Sequence, residues 1–159
     1  MTVPGRIMGI DHGERRVGIA LSDPLRLIAR PYGIIVRKRG EEALDQVAEL
    51  ILAEGATKVV IGLPTDSQGG IGRQAVVVIQ WARALAAKNG LPIVLWDESY
   101  SSEYAAELGQ SQRKSRSSSQ SEHYDDLAAA AILQEYLEAA AGRDDYEPGQ
   151  PLETFSDIS

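Results

Sequence analysis

The chain has 159 residues and 43% hydrophobic content, which is enough for a single globular domain with a buried core. It has no cysteine, which excludes disulfides and thiolate metal sites, and no apolar run approaches the roughly 18 residues of a membrane span. We therefore expect a soluble cytoplasmic protein with no membrane partner. The formal charge of −7 argues against a nucleic-acid partner, but residues 143–159 alone carry a net −4, which leaves −3 on residues 1–142.

Five apolar runs of β type alternate with turns and helical stretches along the chain. The first two runs enclose a turn at Gly13 and the third follows closely, so the first three strands are expected to pair antiparallel. A helical stretch precedes each of the last two runs, which is typical of crossover connections and parallel pairing. The predicted strands are 6–11, 17–22, 32–37, 57–62 and 91–96.

Four helices are predicted between and after these strands. Gly55 and Gly90 mark the ends of the first two, and acidic residues occupy the first turns of the first and the last. The pattern predicts an α/β protein with a mixed five-stranded sheet, its first three strands antiparallel, and helices on both faces. The predicted helices are 41–55, 72–90, 101–109 and 124–142.

Two segments have little apolar content. Residues 110–123 are serine-rich and basic in their first half, and residues 143–159 are acidic and contain two prolines. We therefore predict one domain over residues 1–142, followed by an acidic, flexible C-terminal tail over residues 143–159.

Acidic residues lie at the ends of two predicted strands. Asp11 ends the first strand beside the turn at Gly13, and Asp97 and Glu98 end the fifth. Because neighbours on a strand point to opposite faces, only one of Asp97 and Glu98 can join Asp11. Each of these acids is also an ordinary residue at a turn or a strand end, so none of them indicates a site alone.

A third acidic pair, Asp125 and Asp126, lies in the first turn of the last helix. Helical spacing aligns Asp125 with Ala129 and Ile132, so this face can bring Asp125 towards the strand ends, and Asp126 is the weaker candidate. Acids at this position also complement the helix dipole. Converging carboxylates repel one another unless cations intervene, and oxygen ligands select Mg²⁺ or Mn²⁺. Two such ions can promote phosphodiester hydrolysis.

Four ordered motifs resemble those of the YqgF family. They are GIDHGERRVGIALSDP with IARP after it, VVIGLPTDSQGG, WDES followed by SSEYAAEL, and DDLAAAAILQEYL, and they span about residues 6–138. The resemblance implies a ribonuclease H-like fold and a Holliday-junction-resolvase-like nuclease. It also implies a role in maturing the 5′ end of pre-16S ribosomal RNA, with branched DNA, as in a Holliday junction, as the alternative substrate.

The resemblance also implies roles for single residues. It matches the family's catalytic, metal-binding acids to Asp11, Glu98 and Asp125, and it thus selects Glu98 over Asp97. Asp97 becomes an orienting neighbour, and Asp126 is a second supporting candidate. The expected cofactor is Mg²⁺ or Mn²⁺ in a two-metal site.

The chain departs from the family pattern at two positions. Ser99 stands where the family usually has an arginine, which removes a charge that could contact phosphate, and His12 stands where an aromatic residue is common. Basic residues remain in the first turn and in the loop before the last helix, and we expect them to contact the nucleic-acid backbone. These candidates are Arg15, Arg16, Arg113, Lys114 and Arg116.

Two other protein classes share features of this sequence. Sugar kinases and actin-like ATPases carry a similar Asp-x-Gly turn, but they need two such lobes, and the sequence has no second matching turn. A noncatalytic module that binds nucleic acid or protein is favoured by the missing arginine and the acidic balance, whereas the three retained carboxylates oppose it. Nothing in the sequence marks a subunit interface, so a monomer and a homodimer both stay open.

Overall fold

The computed structural model describes residues 3–38, 42–98, 124–143 and 145–158. Among these residues six strands form one mixed sheet, and they are β1 (Arg6–His12), β2 (Arg16–Ser22), β3 (Ala29–Val36), β4 (Ala56–Leu63), β5 (Ile93–Asp97) and β6 (Gln150–Pro151). Their spatial order is β3-β2-β1-β4-β5-β6. β1, β2 and β3 pair antiparallel, whereas β4 joins β1 and β5 joins β4 in parallel. The predicted antiparallel start and parallel additions are confirmed.

Three described helices pack on this sheet. They are α1 (Glu42–Glu54), α2 (Arg73–Asn89) and α3 (Tyr124–Ala140). α2 ends at Gly90, whose φ of 67° allows its backbone N–H to donate to the Ala86 carbonyl oxygen at 2.7 Å, as the glycine signal predicts. The helix predicted at 101–109 lies outside the described residues.

Strand alternation divides the apolar side chains between two cores. Met8 and Ile10 pack with the side chains of α1 and α2, whereas Ile7 and Val60 pack with those of α3. The prediction of helices on both faces is therefore confirmed. None of the helices in the described part of the chain has the length and apolar character of a membrane span.

The C-terminal segment differs from the flexible tail that composition predicts. β6 pairs antiparallel with β5, and a 3₁₀ helix at Leu152–Phe155 follows it. Leu152 and Phe155 are buried in the core that α1 and α2 form. Arg83 of α2 donates hydrogen bonds to the carbonyl oxygens of Phe155 and Ile158, the latter at 2.6 Å. This segment therefore packs on the domain.

With this segment the described residues form six strands, one more than the five predicted. β6 has only two residues, which is too short for any hydrophobic period to mark it. Of the described residues in this mostly polar stretch, only Leu152 and Phe155 bury their side chains, so its average composition does not indicate that it packs on the core.

Replacing Phe155 by alanine is expected to lower the free energy of unfolding by about 3 kcal/mol, because a buried aromatic ring is lost from the core. Urea denaturation followed by circular dichroism measures the change. Tyr146→Ala is the matched control, since Tyr146 is 50% exposed, and a loss below about 1 kcal/mol is expected there. Equal and small losses of unfolding free energy at both positions would show that the C-terminal segment does not contribute to the hydrophobic core.

Candidate active site

Parallel strand ends bring two acidic side chains to one edge of the sheet. β1, β4 and β5 run parallel, so their carboxyl ends lie together. Asp11 is next to the last residue of β1, and Glu98 directly follows β5. A hydrogen bond joins the Asp11 and Glu98 side chains. The structure thus brings together two of the three acids that the motifs select.

Strand alternation separates Asp97 from this pair. Trp96 packs with the α3 core, so the side chain of the next residue, Asp97, is directed to the opposite face of the sheet. There the Thr65 hydroxyl donates to Asp97 Oδ1 at 3.3 Å. Residue spacing alone left Asp97 and Glu98 as alternatives, and the geometry places Glu98 against Asp11.

The first turn of α3 lies directly on β2 at Gly18, the register partner of Asp11. A Cβ atom at Gly18 would collide with the Asp125 carbonyl oxygen and would lie 2.9 Å from the Asp126 backbone nitrogen. Only glycine allows the helix to begin this close to the sheet. The contact sets Asp125 near Asp11, as helical spacing predicts. The sequence analysis did not identify Gly18 as the residue that permits this approach.

A second glycine makes room for the Glu98 side chain. Gly62 lies on β4, between β1, which carries Asp11, and β5, which Glu98 follows. A Cβ atom at Gly62 would lie 2.7 Å from Glu98 Oε1. Glu98 therefore extends over β4 towards Asp11 through space that any larger residue would fill.

Burial and mutual repulsion keep a proton on this pair at neutral pH. Burial and then the hydrogen bond and charge of Asp11 raise the pKa of Glu98 to about 9. Burial raises the pKa of Asp11 too, the hydrogen bond from Glu98 opposes that rise, and the charge of Asp125 adds to it. Burial also raises the pKa of Asp125, against the effect of the Arg16 charge. Glu98 is therefore the protonated partner and donates to Asp11.

The paired acids fit a hard divalent cation. Asp11 and Glu98 present only carboxylate oxygens, and a cation can replace the proton that they share. Asp125 acts on Asp11 through its charge, and Asp126 is partly buried in the same turn. Within the described ranges, no group of three or more His, Asp or Glu side chains is arranged to hold one metal ion. The Asp11–Glu98 pair is the part of the predicted centre that is formed.

Two of the predicted phosphate-contacting residues are described. Arg16 begins β2 at the same edge of the sheet, and its charge acts on Asp125. Arg15 is exposed in the turn between β1 and β2. The other three, which are Arg113, Lys114 and Arg116, lie outside the described residues.

His12 faces the other side of the sheet from Asp11. Its ring packs on Trp81 of α2, with the ring centroids 4.8 Å apart. Burial, helped by the charge of Arg37, lowers the pKa of His12 to about 4, so the imidazole is neutral. His12 therefore does not belong to the carboxylate group.

The raised pKa of Glu98 predicts how stability depends on pH without divalent metal. Between the ordinary pKa of 4.5 and the folded-state pKa of about 9, the folded protein holds a proton that the unfolded chain releases. The free energy of unfolding is therefore expected to fall as pH rises through this window. Urea denaturation in EDTA at pH 5, 7 and 9 measures the slope. Glu98→Gln keeps a donor for Asp11 and should flatten the slope, whereas an unchanged slope would contradict the assignment.

Comparison with known proteins identifies the family. Residues 5–139 match the family profile described as RuvX, Holliday junction resolvase. The chain belongs to the RuvX family. RuvX is the YqgF family that the four motifs indicate, so that prediction is confirmed.

Two relatives of this RuvX protein match most of its length. A protein of Syntrophus aciditrophicus is 38% identical over 138 residues, which cover 84% of this chain and 89% of the relative. A protein of Listeria monocytogenes is 40% identical over 141 residues, covering 84% of this chain and 97% of the relative. Both carry the name "Putative pre-16S rRNA nuclease".

Solved structures similar to this RuvX protein include Holliday junction resolvases. RuvC of Thermus thermophilus, solved in complex with a Holliday junction substrate, superposes with a TM-score of 0.57 at 18% identity, over 92% of this chain and 98% of RuvC. The Fowlpox virus resolvase bound to Holliday junction DNA gives 0.54 at 11% identity, over 86% and 99% of the two chains. These likenesses confirm the predicted ribonuclease H-like fold.

Proposed function

We propose that this RuvX-family protein is a divalent-metal-dependent nuclease that hydrolyses phosphodiester bonds in the 5′-end maturation of pre-16S rRNA. The observation that carries the proposal is the hydrogen-bonded Asp11–Glu98 pair, set near Asp125 at the edge of the sheet. The names of the relatives support a ribosomal RNA precursor as the substrate.

The residues of the chain bind and balance charge in this chemistry. Asp11 and Glu98 would hold Mg²⁺ or Mn²⁺, with Asp125 reaching the same centre from the first turn of α3. When bound, two such ions supply an activated water and stabilise the attacking and leaving oxygens of an in-line displacement. Glu98 would release its proton to solvent on binding, because a cation favours the ionised carboxylate. Asp126 would support these ligands from the position next to Asp125, whereas Asp97, on the opposite face of the sheet, would act on Glu98 only through its charge.

Arginine side chains at this edge are proposed to position the substrate. Arg16 balances part of the charge of Asp125 and lies where a backbone phosphate would approach the carboxylates. Arg15, exposed in the adjoining turn, extends this basic edge. Such contacts are largely independent of base sequence and weaken as salt rises.

A comparison of substrates tests the proposal. The purified protein is incubated in Mg²⁺, Mn²⁺ or EDTA with an RNA that spans the mature 5′ end of 16S rRNA, an unrelated single-stranded RNA of equal length, a four-way DNA junction and linear duplex DNA. Metal-dependent cleavage of the precursor RNA, with product ends at the mature 5′ terminus, is expected. If the protein binds the precursor RNA but cuts no substrate in any metal, a noncatalytic binding module replaces the nuclease.

Resolution of Holliday junctions is the second candidate function. The description of the family and the likeness to RuvC favour it. In the same assay, paired symmetric cuts in the four-way junction, with intact precursor RNA, would assign this function in place of RNA maturation.

A further inference from the structure

A small cavity lies at the same edge of the sheet as the carboxylates, but on the opposite face. Its volume is about 140 Å³, and His12, Glu14, Arg37 and Arg73 contribute to its walls. His12 is the last residue of β1 and Arg73 is the first residue of α2, so the cavity lies between the strand end and the helix start. We name it the arginine cavity.

The arginine cavity carries a net positive charge. Arg37 Nη1 donates to the carbonyl oxygens of Gly13 and Glu14 at 3.0 and 3.3 Å, which fixes its guanidinium at the wall. Arg73 is exposed, and within the described ranges it has neither a hydrogen bond nor an ion pair. Glu14 is the only acidic side chain among the described lining residues. Two guanidinium groups therefore face one carboxylate.

His12 forms part of the wall of this cavity. Its Nε2 atom is buried and has no hydrogen-bond partner among the described residues. Packing against Trp81 holds the ring in place. The imidazole is neutral and adds no charge to the cavity, so the two arginine side chains account for its attraction to an anion.

We propose that the arginine cavity binds a backbone phosphate of the substrate strand, adjacent to the phosphate that is cleaved. This proposal rests on the proposed nuclease function, which places a nucleic-acid strand at this edge. Guanidinium groups suit phosphate because their donors match its oxygens. Asp11 and His12 are neighbours on β1 that face opposite sides of the sheet, so a strand passing over the end of β1 reaches both the carboxylates and the cavity.

Binding measurements with matched charge variants test the proposal. Fluorescence anisotropy in EDTA, where no cleavage occurs, gives the affinity for a single-stranded RNA and a DNA of the same sequence over a range of KCl concentrations. Arg73→Gln is expected to weaken binding about tenfold, because one charged hydrogen-bonding partner is lost. The magnitude of the slope of log affinity against log salt concentration should decrease by about 0.7 for both the RNA and the DNA. Arg30→Gln removes the same charge at an exposed position on β3 and should leave affinity within about twofold.

Several results would overturn the arginine cavity as a phosphate site. The first is equal affinity of the Arg73 and Arg30 variants, and the second is a wild type that binds neither nucleic acid. The third is a loss of affinity for RNA but not for DNA, because both nucleic acids have the same backbone phosphate. Cleavage assays separate this proposal from the nuclease function. If the protein cleaves RNA with metal but Arg73→Gln leaves binding unchanged, only the assignment of the cavity as a phosphate site is overturned. If binding depends on Arg73 but no cleavage occurs, only the nuclease function is overturned.

Discussion

Replacing Asp11 by asparagine is expected to reduce metal-dependent cleavage by more than about 100-fold. Loss of a residue that only hydrogen-bonds to a metal ligand typically reduces metal affinity or activity about 10–100-fold, and Asp11 is proposed to be a ligand itself. Asparagine keeps the size of the side chain and one carbonyl oxygen, but it removes the charge that a divalent cation needs. Single-turnover cleavage of the precursor RNA at fixed Mn²⁺ measures the effect.

The Asp11 variant is expected to stay folded and to keep its affinity for RNA. In the metal-free protein, asparagine relieves repulsion with Asp125 and leaves an acceptor for Glu98, so the free energy of unfolding should not fall. Asp45→Asn is the matched control, because Asp45 pairs with Lys88 on the surface and is 57% exposed. Cleavage by the Asp11 variant at the rate of the Asp45 variant would remove Asp11 from the site.

Replacing Gly18 by alanine is expected to lower the free energy of unfolding by about 1–3 kcal/mol or more and to impair cleavage as well. The new Cβ would meet the backbone of Asp125, which cannot rotate away as a side chain can. The start of α3 must shift, and Asp125 moves with it away from Asp11. Urea denaturation and the cleavage assay together measure the two effects.

Gly33→Ala provides the comparison for the Gly18 variant. Gly33 lies on β3, and no atom lies within 4 Å of a Cβ built there, so alanine should be neutral or slightly stabilising. Equal stability and equal cleavage of the Gly18 and Gly33 variants would show that the close packing of α3 on β2 does not position Asp125.

Much of the fold was predictable because its elements are long and periodic. The turn at Gly13 indicated the antiparallel pairing of β1 and β2, and Gly90 marked the end of α2, as observed. β6 was not predictable, since two residues carry no period. The burial of Leu152 and Phe155 depends on contacts with distant segments, which a local pattern does not record.

The candidate site was partly predictable from strand alternation and from the family motif. Strand alternation already required that only one of Asp97 and Glu98 join Asp11, and the family motif selected Glu98, which the structure places there. Gly18 could have been found from the sequence, because a glycine inside an apolar strand signals a close backbone approach. The arginine cavity could not be predicted, since it joins a strand end at His12 to a helix start at Arg73, which is 61 residues later in the chain.

Mn²⁺ binding tests the central claim, that the acids at this edge of the sheet form a divalent-cation centre. The electron paramagnetic resonance signal of free Mn²⁺ is followed as the ion is added to the wild type and to the Asp11→Asn and Glu98→Gln variants, with proton release recorded in weakly buffered solution at pH 7. The account predicts that the wild type removes Mn²⁺ from solution and releases protons, because binding displaces the proton on Glu98, and that both variants bind weakly. Equal Mn²⁺ binding by all three proteins, without proton release, would contradict it.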